Sequence, residues 1–217
     1  MNNIVAPSIL SCDFTNIADE LKPLENCKDT WIHLDIMDGH FVPNLTFGIP
    51  IVQQISKSCH LPLDAHLMVS NPEFHIEEMK GFGLANITFH YEACEDSLSL
   101  LKKAKENYPS VGISIKPKTE VSELSSEVLK AADLILVMSV EPGFGGQSFI
   151  EETYSKIEKL NQLRKENGYT YQIQIDGGVS KKNASQLREA GADNLVAGSY
   201  IFKAGSDQYT QLVETLR

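Results

Sequence analysis

Within the run TWIHLDIMDGH, His33 and Asp35 stand two residues apart. In a strand, residues i and i+2 share one side of the sheet. His33, Asp35 and Met37 therefore face one environment, while Ile32, Leu34 and Ile36 face the other. The pattern returns in PLDAHLMV, where Asp64 and His66 share a face, and YQIQID closes on Asp176. Two neutral imidazoles, His33 and His66, with two carboxylates, Asp35 and Asp176, make an N2O2 set suited to one divalent cation: Zn2+, Fe2+, Mn2+ or Co2+. A single inward histidine reads more simply as a hydrogen-bonded core residue. The aspartates turn the balance, because buried carboxylates that face each other repel or take up protons unless a cation lies between them. Asp64 is placed to orient a ligand histidine.

For these four residues to meet, they must sit at the ends of parallel strands. Apolar or alternating runs recur as NIVAPSIL, WIHLDIM, PLDAHLMV, NITFHY, VGISIKP, LILVMSV, YQIQID and NLVAG. Segments of helical periodicity separate most of them: FTNIADELKPLEN, SLSLLKKAKENY, VSELSSEVLKAA, FIEETYSKIEKLNQLRKEN and SKKNASQLREAGA. Strict alternation of strand and helix implies parallel strands joined by crossover helices. Eight such units in 217 residues predict a single α/β domain, a (β/α)8 TIM barrel spanning 1–217. The rival, an open doubly wound sheet binding a dinucleotide, would show GxGxxG after its first strand, and APSILSCDF holds no glycine. The longest irregular stretch, DGHFVPNLTFGIP from Asp38 to Pro50, follows the second strand and is expected to form a wall or lid over the site.

Glycine turns follow the last three strands: EPGFGGQSF, DGGVSKKN and AGSYIFK. Backbone N–H groups exposed there, with a short helix starting near Ser199, predict the phosphate cradle that this fold often places after strands seven and eight. Such a cradle needs no basic patch, which suits a chain of formal charge −10 and excludes a nucleic-acid surface. Met37, Met68 and Met138 fall at strand ends facing the same mouth and are expected to form an apolar wall that keeps out water. Cys12, Cys27, Cys59 and Cys94 show no paired spacing, and MNNIVAPSIL lacks the features of a leader. No apolar run approaches the roughly 18 residues of a membrane span, so the expectation is a cytoplasmic protein with reduced thiols and no membrane partner.

A metal at one side of the mouth and a phosphate cradle at the other define an elongated substrate, a small phosphorylated ketose. With Asp35 and Asp176 on opposite faces of that substrate, one removes a proton from the carbon beside the ketone and the other returns a proton from the far side. The result is epimerisation through an enediolate, whose charge the cation stabilises as a Lewis acid.

SILSCDF, HLDIMDGHFVPNLTFG, LDAHLMV, VMSVEPGFGGQSF, IDGGV and AGSYIF, in this order from near residue 8 to near residue 202, resemble the signature segments of the ribulose-phosphate 3-epimerase family. The resemblance implies metal-dependent interconversion of D-ribulose 5-phosphate and D-xylulose 5-phosphate in the pentose phosphate pathway by a homo-oligomer. It implies His33, Asp35, His66 and Asp176 as ligands, with Asp35 as proton acceptor and Asp176 as donor in one direction. Substrate contacts would come from Ser8, His66, Gly143, Phe144, Gly145, Gly146, Gly177, Gly178, Gly198 and Ser199. Lys116, in ISIKPKT, stands where many members carry asparagine. The alternatives are a 3-epimerase of a hexulose phosphate such as D-allulose 6-phosphate, a metal-independent barrel that binds or isomerises a sugar phosphate, and a regulatory scaffold.

Overall fold

The computed structural model describes residues 3–217. Eight parallel strands are joined in the order β1-β8-β7-β6-β5-β4-β3-β2. They are β1 (Ile4–Pro7), β2 (Ile32–Met37), β3 (Leu63–Met68), β4 (Asn86–His90), β5 (Val111–Ile115), β6 (Leu134–Met138), β7 (Gln172–Asp176) and β8 (Asn194–Ala197). The bridges Val5 to Thr30 and Ser8 to His33 bring β1 back against β2 and close the cylinder. The TIM barrel expected from the strand–helix alternation is the fold observed.

The helices are α1 (Ile17–Leu21), α2 (Ile49–Ser58), α3 (Pro72–Glu78), α4 (Ser97–Lys105), α5 (Ser126–Ala131), α6 (Thr153–Asn167), α7 (Ala184–Ala190), α8 (Ser199–Phe202) and α9 (Tyr209–Glu214). Local chemistry sets their ends. In α4 the Asp96 side chain accepts from the Ser99 amide, and Lys102, Lys103 and Lys105 crowd the last turn, where carbonyls lack partners. Helix α6 stops at Gly168, whose φ of 66° suits glycine. No helix of the described residues is long and apolar enough to cross a membrane.

Three segments differ from the sequence expectation. VSELSSEVLKAA is two elements, because Glu120 and Glu123 cap a 3-10 turn at Val121–Glu123 and Ser125 then caps α5. Helix α1 is only five residues long and passes into a 3-10 turn at Lys22–Leu24, which contains Pro23. The irregular stretch after β2 is also shorter than Asp38 to Pro50, since Ile49 and Pro50 already belong to the first turn of α2, where proline is favoured.

The main core lies between the sheet and its helices, where Leu34, Leu67, Phe89, Ile113, Val137, Ile173 and Leu195 are fully buried. The barrel interior differs in kind. Leu134, Leu136 and Met138 form an apolar group there with Val140, but Asp64, Asn86, Thr88, Ser114, Gln174 and Asn194 are buried as well. Thr88 pairs in register with Gly112, and a Cβ at 112 would come within 2.3 Å of the Thr88 hydroxyl oxygen.

Candidate active site

Strands β2 and β3 run in a register that pairs His33 with Asp64, Asp35 with His66 and Met37 with Met68. Two inward rows therefore stack as three rungs toward the mouth. His33, Asp64 and His66 are fully buried. The Asp35 side chain keeps 4% exposure and that of Asp176, across the barrel at the end of β7, 14%. Of the four candidate ligands, these two carboxylates are the ones that line the cleft.

His33 Nε2 lies 3.4 Å from His66 Nδ1, 3.6 Å from Asp35 Oδ1 and 3.7 Å from Asp176 Oδ2. His66 Nδ1 lies 3.6 Å from Asp35 Oδ1 and 3.4 Å from Asp176 Oδ2. The four donor atoms all fall within 4.8 Å of one another. Two imidazole nitrogens and two carboxylate oxygens aimed at one buried point fit a divalent cation, and this cluster could hold a metal ion.

The electrostatics agree. Burial alone would raise the Asp35 carboxyl, yet His33 and His66 outweigh it and hold it far below the carboxylate range. Burial and the Asp35 charge both push Asp176 up, and the same imidazoles bring it down. Burial opposes a charge on His33, but Asp35 and Asp64 raise it well above the usual imidazole value. The pocket stabilises positive charge at its centre.

Neighbours fix three of the donors. The Ser8 hydroxyl donates to Asp35 Oδ2 at 2.5 Å, leaving Oδ1 for the cluster, and Ser8 Oγ accepts from the Leu10 amide. Behind His33, Nδ1 meets Asp64 Oδ2 at 2.8 Å, and Asp64 also accepts from Asn86 at 2.7 Å and Gln174 at 2.6 Å. Behind His66, Nε2 meets His90 Nε2 at 3.0 Å, and His90 Nδ1 meets Glu92 Oε2 at 3.1 Å. Burial lowers the His90 imidazole to about 4.

Above this floor a cleft opens at the C-terminal end of the barrel. The side chains of Ser8, Asp35 and Asp176 line its depth, with Met37, Met68 and Met138 beside them. Gly143, Phe144, Gly145, Gly146, Gly177, Gly178, Gly198 and Ser199 line the opposite part, and no lysine or arginine does. His33 and His66 lie beneath the cleft and are absent from its lining, so a substrate meets the aspartates first. Gly177 (φ 124°) and Gly178 (φ 62°) hold conformations that side chains resist, and a Cβ at 178 would fall 2.6 Å from the Phe149 amide nitrogen. Ser139 donates to the carbonyls of Asp176 and Gly177 and pins the start of that turn.

The loop after β2 forms a wall. The Thr46 hydroxyl donates to the Asp35 carbonyl at 2.6 Å, and Phe41 and Val42 pack on Met37 and Met68. Asp38 accepts from the amide and hydroxyl of Ser70 and from the amides of His40 and Phe41, which together outweigh burial and hold its carboxyl low. Asn44 donates to the Gly143 carbonyl at 2.7 Å and ties this wall to the glycine turn after β6.

Sequence reasoning does not single out His90 or Glu92. The available signal is TFHYEA, where a histidine closes a strand and shares the i, i+2 spacing with a carboxylate, as His33 does with Asp35.

Comparison with known proteins supplies the family. The model of the "Ribulose-phosphate 3 epimerase family" matches residues 4–202. The chain is 46% identical to ribulose-phosphate 3-epimerase of Treponema pallidum, over 91% of this chain and 90% of that protein. It is 43% identical to the Synechocystis protein of the same name, over 94% and 89% of the two chains. Among solved structures, a tryptophan synthase alpha-subunit variant from Pyrococcus furiosus superposes with a TM-score of 0.73 at 15% identity, covering 99% of this chain and 98% of that one. Thiamine phosphate pyrophosphorylase from the same organism gives 0.66 at 14% identity, covering 99% and 94%. These structural neighbours share the barrel alone. The match across almost the whole length, together with the His/Asp floor and the glycine-lined mouth, places this chain in the ribulose-phosphate 3-epimerase family.

Proposed function

We propose that the chain epimerises D-ribulose 5-phosphate and D-xylulose 5-phosphate at C3, the ketose phosphates lying with C3 between Asp35 and Asp176. One observation carries this reading. Two carboxylates converge on one pair of buried imidazoles, and they are the residues of that cluster that reach the cleft.

Asp35, held ionised by its surroundings, accepts the C3 proton in one direction. Asp176 delivers a proton to the opposite face of the resulting enediolate, and the roles exchange in reverse. Ser8 holds the outer oxygen of Asp35 so that the carboxylate keeps its orientation as it gains and loses the proton. Met37, Met68 and Met138 surround the reacting carbons with apolar surface and limit exchange of the transferred proton with water. The phosphate lies against the turns at Gly143–Gly146, Gly177, Gly178, Gly198 and Ser199, where backbone N–H groups are the main donors.

His33, Asp35, His66 and Asp176 would hold one divalent cation, Zn2+, Fe2+, Mn2+ or Co2+. When bound, it supplies Lewis-acid stabilisation of the negative charge that develops on the substrate oxygens. Elemental analysis of protein purified without added metal identifies it. The reading extends to a one-domain cytoplasmic homo-oligomer. Four free thiols support the compartment, and sedimentation velocity tests the assembly.

The deciding experiment follows the C3 proton by NMR in heavy water with D-ribulose 5-phosphate, using wild type and Asp176→Asn. Exchange and conversion by wild type, lost in the variant, are expected. D-allulose 6-phosphate run alongside reads the ketose length. Absence of exchange with both ketoses, after each of the four metals is added, overturns the proposal.

A further inference from the structure

His90 and Glu92 lie outside the four-residue donor set and outside the cleft lining, yet they are built into its rear wall. His90 is fully buried at the end of β4, with its Nε2 3.0 Å from Nε2 of His66. Its Nδ1 is 3.1 Å from Oε2 of Glu92. The other Glu92 oxygen, Oε1, accepts from the Lys116 amide at 2.7 Å and from the Thr119 hydroxyl. Lys156 donates to the carbonyls of Pro117 and Thr119 and fixes the loop that carries both donors. Phe41 lies on the His90 ring with centroids 4.8 Å apart.

An ionised carboxylate only accepts hydrogen bonds. His90 must therefore donate from Nδ1, and a neutral imidazole that donates from Nδ1 has a bare Nε2. That bare nitrogen can only accept from His66, so the His66 proton sits on Nε2. The lone pair of His66 Nδ1 is then directed at Asp35 and Asp176, as a metal ligand requires. Asp64 acts in the same way one step nearer to His33, through His33 Nδ1.

We infer that Glu92, acting through His90, sets the tautomer of His66, so that both are positioning residues for the metal site. The inference rests on reading His33, Asp35, His66 and Asp176 as metal ligands. It carries a specific consequence for Glu92→Gln. The Lys116 amide and the Thr119 hydroxyl hold the side-chain oxygen on their side, which turns the new NH2 group toward His90 Nδ1. His90 must then carry its proton on Nε2 and donate to His66 Nε2, which forces a proton onto His66 Nδ1. One amide in place of a carboxylate reverses the whole relay and caps a ligand.

The test uses the full chain with 15N-labelled histidine, metal-free and loaded with Zn2+, together with Co2+ titrations followed by visible absorption. In wild type, NMR should find the His90 proton on Nδ1 in both states, and the His66 proton on Nε2 alone once Zn2+ occupies the site. In Glu92→Gln the His90 proton should move to Nε2, and Co2+ affinity should fall about 10- to 100-fold, the usual cost of losing an outer partner of a ligand histidine. His90→Leu, which offers His66 no acceptor, should lose affinity, while His90→Gln, whose amide oxygen can accept, should recover part of it. A wild-type His90 proton on Nε2 overturns the relay, as does Glu92→Gln with wild-type tautomers and affinity. Failure of wild type to bind Co2+ or Zn2+ instead sinks the metal reading, and the His90 tautomer in the metal-free chain still decides the relay.

Discussion

The two ends of the cleft are made of different material. At the end proposed to hold the metal, the groups are side chains of β2, β3 and β7, and those of His33, His66 and Asp35 are held from behind by a second buried polar group. At the opposite end the surface is largely backbone, with glycines in the turns after β6, β7 and β8, and no lysine or arginine lines it. The difference assigns separate duties. Side chains with tuned charge can move protons, whereas peptide N–H groups cannot lose theirs at neutral pH and can only bind. Substitutions at the metal end should therefore cost turnover, and those at the glycine end should cost binding and local stability.

The largest test of that division is Asp35→Asn or Asp176→Asn. Each should lower kcat by about 10²- to 10⁴-fold, the usual contribution of a positioned acid or base, with little change in KM. Steady-state kinetics read both parameters, and a change confined to KM would break the comparison. Next comes chelation. Removing the divalent ion should abolish turnover and lower the melting temperature, because a ligand present at 100 times its Kd stabilises the native state by about 2.7 kcal/mol. Inorganic phosphate, bound at the far end, should still raise the melting temperature of the chelated protein.

Gly178→Ala probes the glycine end. The new methyl would meet the Phe149 backbone at a φ of 62°, and strain of this type costs on the order of 1–3 kcal/mol. Urea unfolding should show the loss, and KM for the ketose phosphate should rise more than kcat falls. A smaller effect separates the ends by pH. Burial would raise the Glu92 carboxyl, but hydrogen bonds from His90, Thr119 and the Lys116 amide bring it from 4.5 to about 2. Its contribution to stability is complete above about pH 4.5, declines as pH falls toward 2 and is absent below that. The stability gap between wild type and Glu92→Gln, read by urea midpoints, should accordingly narrow between pH 6 and pH 3. The gap for Gly178→Ala, where nothing titrates, should change less over the same interval.

The i, i+2 spacing of His33 and Asp35 and of Asp64 and His66 was readable without coordinates, because a strand has only two faces and apolar neighbours mark the other one. The eight-strand barrel followed from the same alternation repeated along the chain. Loop and helix limits were less legible. Pro50 served equally as an end to the loop or a start to α2, and Ser125 inside a helical pattern became the cap that divides it. The glycine turns could be named, but the reason for Gly178 is the Phe149 backbone 29 positions earlier, which no local pattern contains.

Residue type and period thus specify which side chains share a face and which strand ends they occupy, since both depend on geometry that repeats every two residues. What lies opposite a face is a matter of closure and register between distant segments. Only when β7 came round to face β2 did Asp176 reach within 3.7 Å of His33. Only the packing of β3 beside β4 set His90 behind His66 and gave Glu92, 26 residues further along the chain, control of the nitrogen that His66 presents.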